Sequence, residues 1–231
     1  MIRSVLVSPF QVNCWLLACP VTGETAIVDS GDDVPEIMSE LDRMSQELAP
    51  KISKPLHVKF LLHTHAHLDH FGGTRDLFDA LSARNSRPPI IALHPGDGSL
   101  WEELCSQGRM FGINYDSPLP VTQFLKDNEE IAIGELRLTV LHTPGHSPGG
   151  TCFYLQPNPR LNIKGTLFSG DTLFKGSIGR TDLWGGSIDT ILKSIREKLW
   201  PLPDDTRICS GHGPDSLIGA EKRGNPFIPK A

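Results

Sequence analysis

Nothing in the 231-residue chain approaches the run of about 18 apolar residues that a helix needs to cross a bilayer, so no membrane-spanning segment and no membrane partner are expected. Basic clusters are missing too. The 22 Lys and Arg are outnumbered by 27 Asp and Glu, for a net charge of -5, and no stretch concentrates cations. Phosphate backbones are gripped by clustered Lys and Arg, which excludes nucleic acid as the main partner. A small anionic ligand needs only one or two local cations and stays open. Paired cysteines are also lacking. The five thiols (Cys14, Cys19, Cys105, Cys152 and Cys209) are odd in number, scattered, and nowhere spaced as CxxC. That excludes a disulfide framework and points to reduced, buried thiols. Ser8, Pro9, Gln11 and Asn13 interrupt any signal-peptide core near the N-terminus. Together these absences predict a soluble, cytoplasmic protein.

What is present is ordinary globular composition, 39% hydrophobic and 21% charged, in a chain long enough for one large domain or two small ones. The 22 Gly and 19 Pro imply many turns, as in a loop-built site on a sheet scaffold. Short β-like runs come first, at Ile2 to Val7, Cys14 to Ala18 and Thr25 to Val28. Val34, Ile37, Met38, Leu41, Met44 and Leu48 then fall at helical spacing behind Asp32 and Asp33, which are placed to cap that helix. Its methionines read as core. Val58 to Leu62 reads as a buried strand, Leu77, Phe78 and Leu81 as a second helix, and Pro88 to Leu93 as a further strand. Residues 94 to 124 are irregular and are expected to form a lid or a rim. The pattern restarts after Lys126: Ile131 to Ile133, the alternating Leu136, Leu138 and Val140, then Thr151 to Leu155 and Thr166 to Ser169. An amphipathic helix follows Ser187 through Ile188, Ile191, Leu192, Ile195 and Leu199, and Arg207 to Cys209 makes a last strand. The order is similar in both halves, roughly 1–125 and 126–231. One unit spanning 1–231, with two packed sheets and helices outside, satisfies it.

The chemistry concentrates in His65-Ala66-His67-Leu68-Asp69-His70, just past the strand that ends at Leu62. Three imidazoles and a carboxylate at a strand exit can converge on one point, and neutral imidazole and carboxylate are ligands of zinc and other borderline metals. Three further candidates sit at strand exits beside glycine: His146 in Thr143-Pro144-Gly145-His146-Ser147-Pro148-Gly149-Gly150, Asp171 after Phe168-Ser169-Gly170, and His212 between Gly211 and Gly213. Singly, each has a dull alternative as a solvated loop or turn residue. Together they repeat one arrangement, a polar ligand type beside a Gly that lets backbones approach. One zinc with an open position needs three protein ligands. Seven suit two metals sharing a carboxylate, about 3.5–4 Å apart.

These residues resemble the metallo-β-lactamase superfamily over nearly the whole chain. Within it they are most similar to the glyoxalase II (hydroxyacylglutathione hydrolase) branch, in particular its small single-domain bacterial members. The segments that carry the resemblance are HTHAHLDHFGG, HTPGHSPGG, FSGDTLFKGSIGRTDLWGG and SGHGPDSLIGAEKRGNPF, together with the tract SQGRMFG. The resemblance implies an α/β (α+β) fold, a four-layer αββα sandwich with metals at one edge. It implies His65, His67 and His146 on the first metal, Asp69, His70 and His212 on the second, and Asp171 bridging both. It makes Asp69 and Asp171 the catalytic carboxylates. Asp29, which ends the strand Ala26-Ile27-Val28, matches a position behind the ligands where a partner orients a ligating imidazole. The implied cofactors are two divalent metal ions, zinc before iron or manganese. The implied reaction is hydrolysis of a small thioester such as S-D-lactoylglutathione by a metal-bridging hydroxide.

Two features depart from that branch. The sequence runs only 19 residues past His212, too few for the C-terminal helical domain that supplies part of the glutathione site in full-length glyoxalase II. Tyrosines that the family places soon after the last His and near the cation following the bridging Asp are replaced here by Gly213-Pro214 and Arg180-Thr181-Asp182. Arg180 offers a cation for a substrate carboxylate, with an ion pair to Asp182 as the alternative. A second branch resembles the chain as well, including Gly179-Arg180-Thr181-Asp182: the persulfide dioxygenases, which act on glutathione persulfide with one iron.

Overall fold

The computed structural model describes residues 1–228 apart from 51, 53, 54 and 86. The apolar run Ile2–Val7 (β1) turns back as Val12–Ala18 (β2), which pairs with Glu24–Val28 (β3). The amphipathic helix Val34–Leu48 (α1) buries Ile37, Leu41, Met44 and Leu48 and delivers His57–Leu62 (β4) parallel to β3. Leu68–Phe71 (α2) and Thr74–Arg84 (α3) lead to Ile90–Leu93 (β5), parallel to β4. The short helices Gly98–Glu102 (α4) and Leu104–Met110 (α5) precede Gln123–Phe124 (β6), which completes a six-stranded sheet in sequence order.

The second sheet begins as an antiparallel meander of Glu130–Ile133 (β7), Leu136–His142 (β8), Thr151–Leu155 (β9) and Thr166–Gly170 (β10). A small ribbon of Leu173–Phe174 (β11) and Ser177–Ile178 (β12) follows, then Ile188–Ser194 (α6). Arg207–Ser210 (β13) lies parallel to β10, and Ser216–Leu217 (β14) and Ile218–Gly224 (α7) finish the unit. The sheet order is β14-β13-β10-β9-β8-β7.

Three apolar clusters build four layers. One lies between the sheets, where Trp15, Leu17, Val28 and Leu62 meet Ile133, Leu138, Phe153 and Phe168. A second packs the outer face of the first sheet (Leu16, Ile27, Leu61) against α1 to α5, and a third packs Leu167 and Ile208 against α6 and α7. Each sheet is therefore apolar on both faces, which explains why β2 and β3 carry uninterrupted apolar stretches, Cys14 to Ala18 and Ala26 to Val28. The expected αββα sandwich is what forms. Cys14, Cys19, Cys152 and Cys209 are buried and unbridged. Among the described residues no helix is long and apolar enough to cross a membrane.

Strand direction positions the site. β3, β4 and β5 are mutually parallel, so their C-terminal ends share an edge. β8 and β10 both run antiparallel to β9, and β13 runs parallel to β10, so these three ends share an edge as well. Ligands of parallel strands gather outside such carboxyl ends.

Several local expectations change. Asp33 sits at the start of α1 in a left-handed conformation, φ 56°, and makes no side-chain cap. Its carboxylate accepts instead from Ser8 N at 2.6 Å, and Asp32 accepts from the Tyr115 hydroxyl at 2.7 Å. Tertiary donors have outcompeted the helix N-terminus. Asp69 and His70 lie on the single helical turn α2 rather than in a loop. The helix after Ser187 passes into a π-helical turn at Ile195–Leu199. Ile191, Ile195 and Leu199 fall on one face of the helix and all three are buried in the core. Within 94–124, α4 and α5 form despite Gly98 and Gly108. Trp101 stacks on Phe71 with ring centroids 4.3 Å apart, so packing overrides weak propensity.

His94 beyond β5 stacks on His142 at the end of β8, centroids 3.9 Å and planes 14° apart, and this pair bridges the two sheets. Burial first, and then His142, pull His94 down to about 4. The unfolded chain therefore binds more protons between that value and an ordinary histidine value of about 6.5, so this contribution to stability falls as pH drops through the window. His94→Asn keeps an acceptor for Gly96 N–H, now served by His94 Nδ1 at 3.2 Å, but cannot titrate. Its urea midpoint should fall less than that of the unaltered protein between about pH 7 and about pH 5. Equal slopes would remove His94 from the pH dependence.

Candidate metal centre

Four strand exits meet at one point. The turn after β4 brings in His65 and His67, α2 adds Asp69 and His70, the turn after β8 adds His146, the end of β10 adds Asp171, and the end of β13 adds His212. Within this set, three groups have ligand atoms lying within 4.8 Å of one another: His65–His67–His146, His65–His70–Asp171, and Asp69–His70–His212. A shift in the β10–β13 register between Phe168 and Gly170 immediately precedes Asp171, as bulges that re-aim a side chain do. Gly211 is required by close approach, since a Cβ there would run into Asp171 Oδ1 and His70 Cε1. All seven residues singled out in the sequence thus lie together.

Asp171 stands between the groups. Its Oδ1 is 3.4 Å from His70 Nε2, and its Oδ2 is 3.7 Å from His146 Nε2 and 3.6 Å from His212 Nε2. Asp69 Oδ2 lies 3.4 Å from His212 Nε2 and 3.7 Å from His70 Nε2. His65, His70 and His146 are buried, while His67, Asp69, Asp171 and His212 are half-buried and leave one side open.

The hydrogen bonds fix which nitrogens are bare. His146 Nδ1 donates to Arg180 O at 2.8 Å, so the neutral ring carries a lone pair on Nε2. The Thr64 hydroxyl donates its proton to Asp29 Oδ2 at 2.7 Å and can only accept from His65 Nδ1 at 3.0 Å, which leaves His65 Nε2 bare too. Those two Nε2 atoms face each other at 3.2 Å, and His67 Nδ1 is 2.9 Å from His146 Nε2. Lone pairs aimed at one another repel unless a cation sits among them. On the other side, His70 Nδ1 donates to Asp29 Oδ2 at 3.0 Å, and both His70 Nε2 and Asp171 Oδ1 are buried without a hydrogen-bond partner. Orphaned buried polar atoms of this kind call for an ion. The donor set therefore fits bound divalent metal.

The charges agree. Burial, then the neighbouring imidazoles, push His65 well below the ordinary histidine value and His67 down to about 3, so both rings are neutral. Burial alone would lower His70, but Asp171, Asp69 and Asp29 raise it to about 10. Against burial, the charge on His70 and the hydrogen bond with His212 hold Asp69 below the usual carboxylate range. Beside three carboxylates, His70 holds its proton tightly, and a metal ion would displace it.

Behind the cluster, Asp29 accepts from Thr64 N (2.8 Å), the Thr64 hydroxyl and His70 Nδ1. It orients His70 directly and His65 through Thr64. Arg180 reaches the site through its carbonyl. Its exposed guanidinium forms two 2.8 Å bonds with Asp182, the alternative the sequence had left open.

Three residues escaped the sequence reading. Asp97 is fully buried and accepts from Ala66 N, Ser147 Oγ and Gly149 N. Gln107 bonds the backbone of Ala66 and Leu68. Asn13 holds the turn around His212 through Ser210 O and Gly213 O. His94-Pro95-Gly96-Asp97 does show the signal used elsewhere, a polar group beside Gly at a strand exit; Gln107 and Asn13 show none. The groove lined by Leu17, Leu155, Thr166 and Arg207, about 530 Å³, opens where β10 and β13 begin and so at the opposite edge.

Comparison with known proteins bears on this geometry. Residues 7–212 match the model of the metallo-beta-lactamase superfamily. The hydroxyacylglutathione hydrolase GloC of Haemophilus influenzae is 35% identical over 228 residues, 98% of this chain and 97% of its own. The crystal structure of the B3 metallo-beta-lactamase BLEG-1 superposes with a TM-score of 0.81 at 33% identity, covering 99% of both chains. That of TTHA1623 in a di-iron-bound form superposes at 0.77 with 36% identity, covering 98% of this chain and 100% of its own. With the family model spanning most of the sequence and a relative this similar along its whole length, the chain belongs to the metallo-beta-lactamase superfamily, whose members bind divalent metals.

Proposed function

We propose that the protein is a two-metal hydrolase of small thioesters, of the hydroxyacylglutathione hydrolase type. The observation that carries this reading is Asp171, whose carboxylate lies within 3.7 Å of His146 on the one hand and of His70 and His212 on the other. Such a carboxylate suits a shared ligand between two cations, with His65, His67 and His146 on one and Asp69, His70 and His212 on the other. The whole-length similarity to GloC supports the substrate class. Zinc suits the imidazole and carboxylate donors, and the di-iron form of TTHA1623 makes iron the first alternative, with manganese next.

Two divalent cations would supply Lewis acidity toward a thioester carbonyl and a water of lowered pKa. The chain's own residues supply the rest. Asp29, directly and through Thr64, fixes the ring orientation of His70 and His65. Asp69 stays ionised beside the open side of the cluster. The net reaction consumes water and a thioester and yields a carboxylate and a thiol. Arg180 is the cation available for a carboxylate on the thiol arm, and it would trade Asp182 for the substrate.

Asp171→Ala should reduce metal content from two ions per chain to one or none and abolish turnover; a retained pair of ions would remove Asp171 from the shared position. Arg180→Ala should raise KM for an anionic thioester more than it lowers kcat, and an unchanged KM would take Arg180 out of the substrate site. The direct test is hydrolysis of S-D-lactoylglutathione, followed as loss of thioester absorbance with and without a chelator. Chelator-sensitive turnover is expected. Metal-loaded protein that leaves this thioester intact but takes up oxygen with glutathione persulfide would overturn the hydrolase reading in favour of a persulfide dioxygenase.

A further inference from the structure

We propose that Asp97 and Gln107 form a clamp that presets the three-histidine group and sets its affinity for metal separately from the second group; the inference rests on the two-metal reading above. It starts from the backbone around His67. The Ala66 N–H donates to Asp97 Oδ2 at 3.0 Å, the Ala66 carbonyl accepts from Gln107 Nε2 at 3.0 Å, and the Leu68 N–H donates to Gln107 Oε1 at 2.9 Å. Three successive peptide groups are thus held by two side chains from outside the turn. The same Asp97 carboxylate holds the turn that carries His146, accepting from Ser147 Oγ at 2.7 Å and Gly149 N at 2.5 Å. One buried group therefore fixes the separation of the two turns that supply His65, His67 and His146.

The fit is close. A Cβ on Gly149 would press on Asp97 N at 2.5 Å and Asp97 Cγ at 2.8 Å, so the turn seats directly against the clamp. Gln107 Nε2 also donates to Leu100 O at 2.8 Å, which ties α4 to α5. Among the described residues no Lys or Arg pairs with the Asp97 carboxylate. A buried, unpaired carboxylate is costly to fold around, and three converging donors offset that cost. The second group has separate supports: Asp29 on His70 and Asn13 on the His212 turn. Residues 94–110 thereby act as a fixed brace of the site, not as a cover over it.

Asparagine at 97 is isosteric but turns an NH2 toward at least one of the three donors. Leucine at 107 fills the space and bonds nothing. The test uses cobalt(II) titration of metal-free protein, followed by absorbance, in two parent variants. His212→Ala leaves the three-histidine group intact, and His146→Ala leaves the second group intact. Asp97→Asn and Gln107→Leu should each weaken cobalt binding about 10- to 100-fold in the His212→Ala parent, the cost typical of losing a partner behind a ligand, and by less than about threefold in the His146→Ala parent. Amide hydrogen exchange of Ala66 and Leu68 in the metal-free protein should quicken in both variants. Equal weakening in both parents, with a matching fall in the urea midpoint, would overturn the clamp in favour of a general structural role. Unchanged affinity in the His212→Ala parent would overturn it outright. Parents that bind no cobalt would instead overturn the two-metal reading, an outcome separable from failure of the clamp alone. Gln107→Leu carries the test if Asp97→Asn does not fold.

Discussion

Mutual repulsion of bare donors is the constraint around which this molecule is organised. His65 and His146 aim lone pairs at one another across 3.2 Å, while His70 Nε2 and Asp171 Oδ1, 3.4 Å apart, are buried without a hydrogen bond. A fold that assembled these atoms without a cation would bear both the repulsion and the desolvation of unpaired polar groups. A cation removes both costs, and much of the surrounding structure holds the donors in place against that repulsion. The sandwich provides rigidity: each sheet is packed on both faces, so the strand ends cannot splay to relieve the crowding.

Between the rigid strands and the donors lies a layer of buried polar side chains. Asp29, Thr64 and Asp97 are each almost wholly buried, and each spends its hydrogen bonds on the turns that carry the imidazoles. Asn13, at the start of β2, does the same for the His212 turn, together with the backbone bond from Asn13 N to Gly211 O at 2.7 Å. This layer also decides tautomers. A carboxylate or carbonyl on the far nitrogen leaves the near nitrogen bare, which is the state a metal ligand requires.

The open side of the cluster is less constrained. Arg180 and Asp182 satisfy each other in solvent, and an exposed pair of this kind is held by little free energy, so a competing carboxylate can displace it. On the proposed reading, substrate contact would rest on groups that exchange partners easily, whereas the donor set depends on groups that cannot.

The sequence by itself determined the chemistry of the site. Imidazole and carboxylate are properties of residues: clustering within six positions marked His65, His67, Asp69 and His70, and placement at strand exits beside Gly145, Gly170 and Gly211 marked His146, Asp171 and His212. It also determined the layering, because runs that are apolar on both faces must be covered on both faces. Tertiary structure alone decided which nitrogen of each ring faces the cluster, since that depends on partners far along the chain: Arg180 for His146, Asp29 for His70. It also decided that Asp32 and Asp33 serve Tyr115 and Ser8 instead of a helix end, that α4 and α5 form at all, and that Asp97 and Gln107 reach back to Ala66. Sequence spacing carries information about neighbours within a turn or a strand. A buried hydrogen bond between residues 31 or 41 positions apart depends only on where the folded chain brings them.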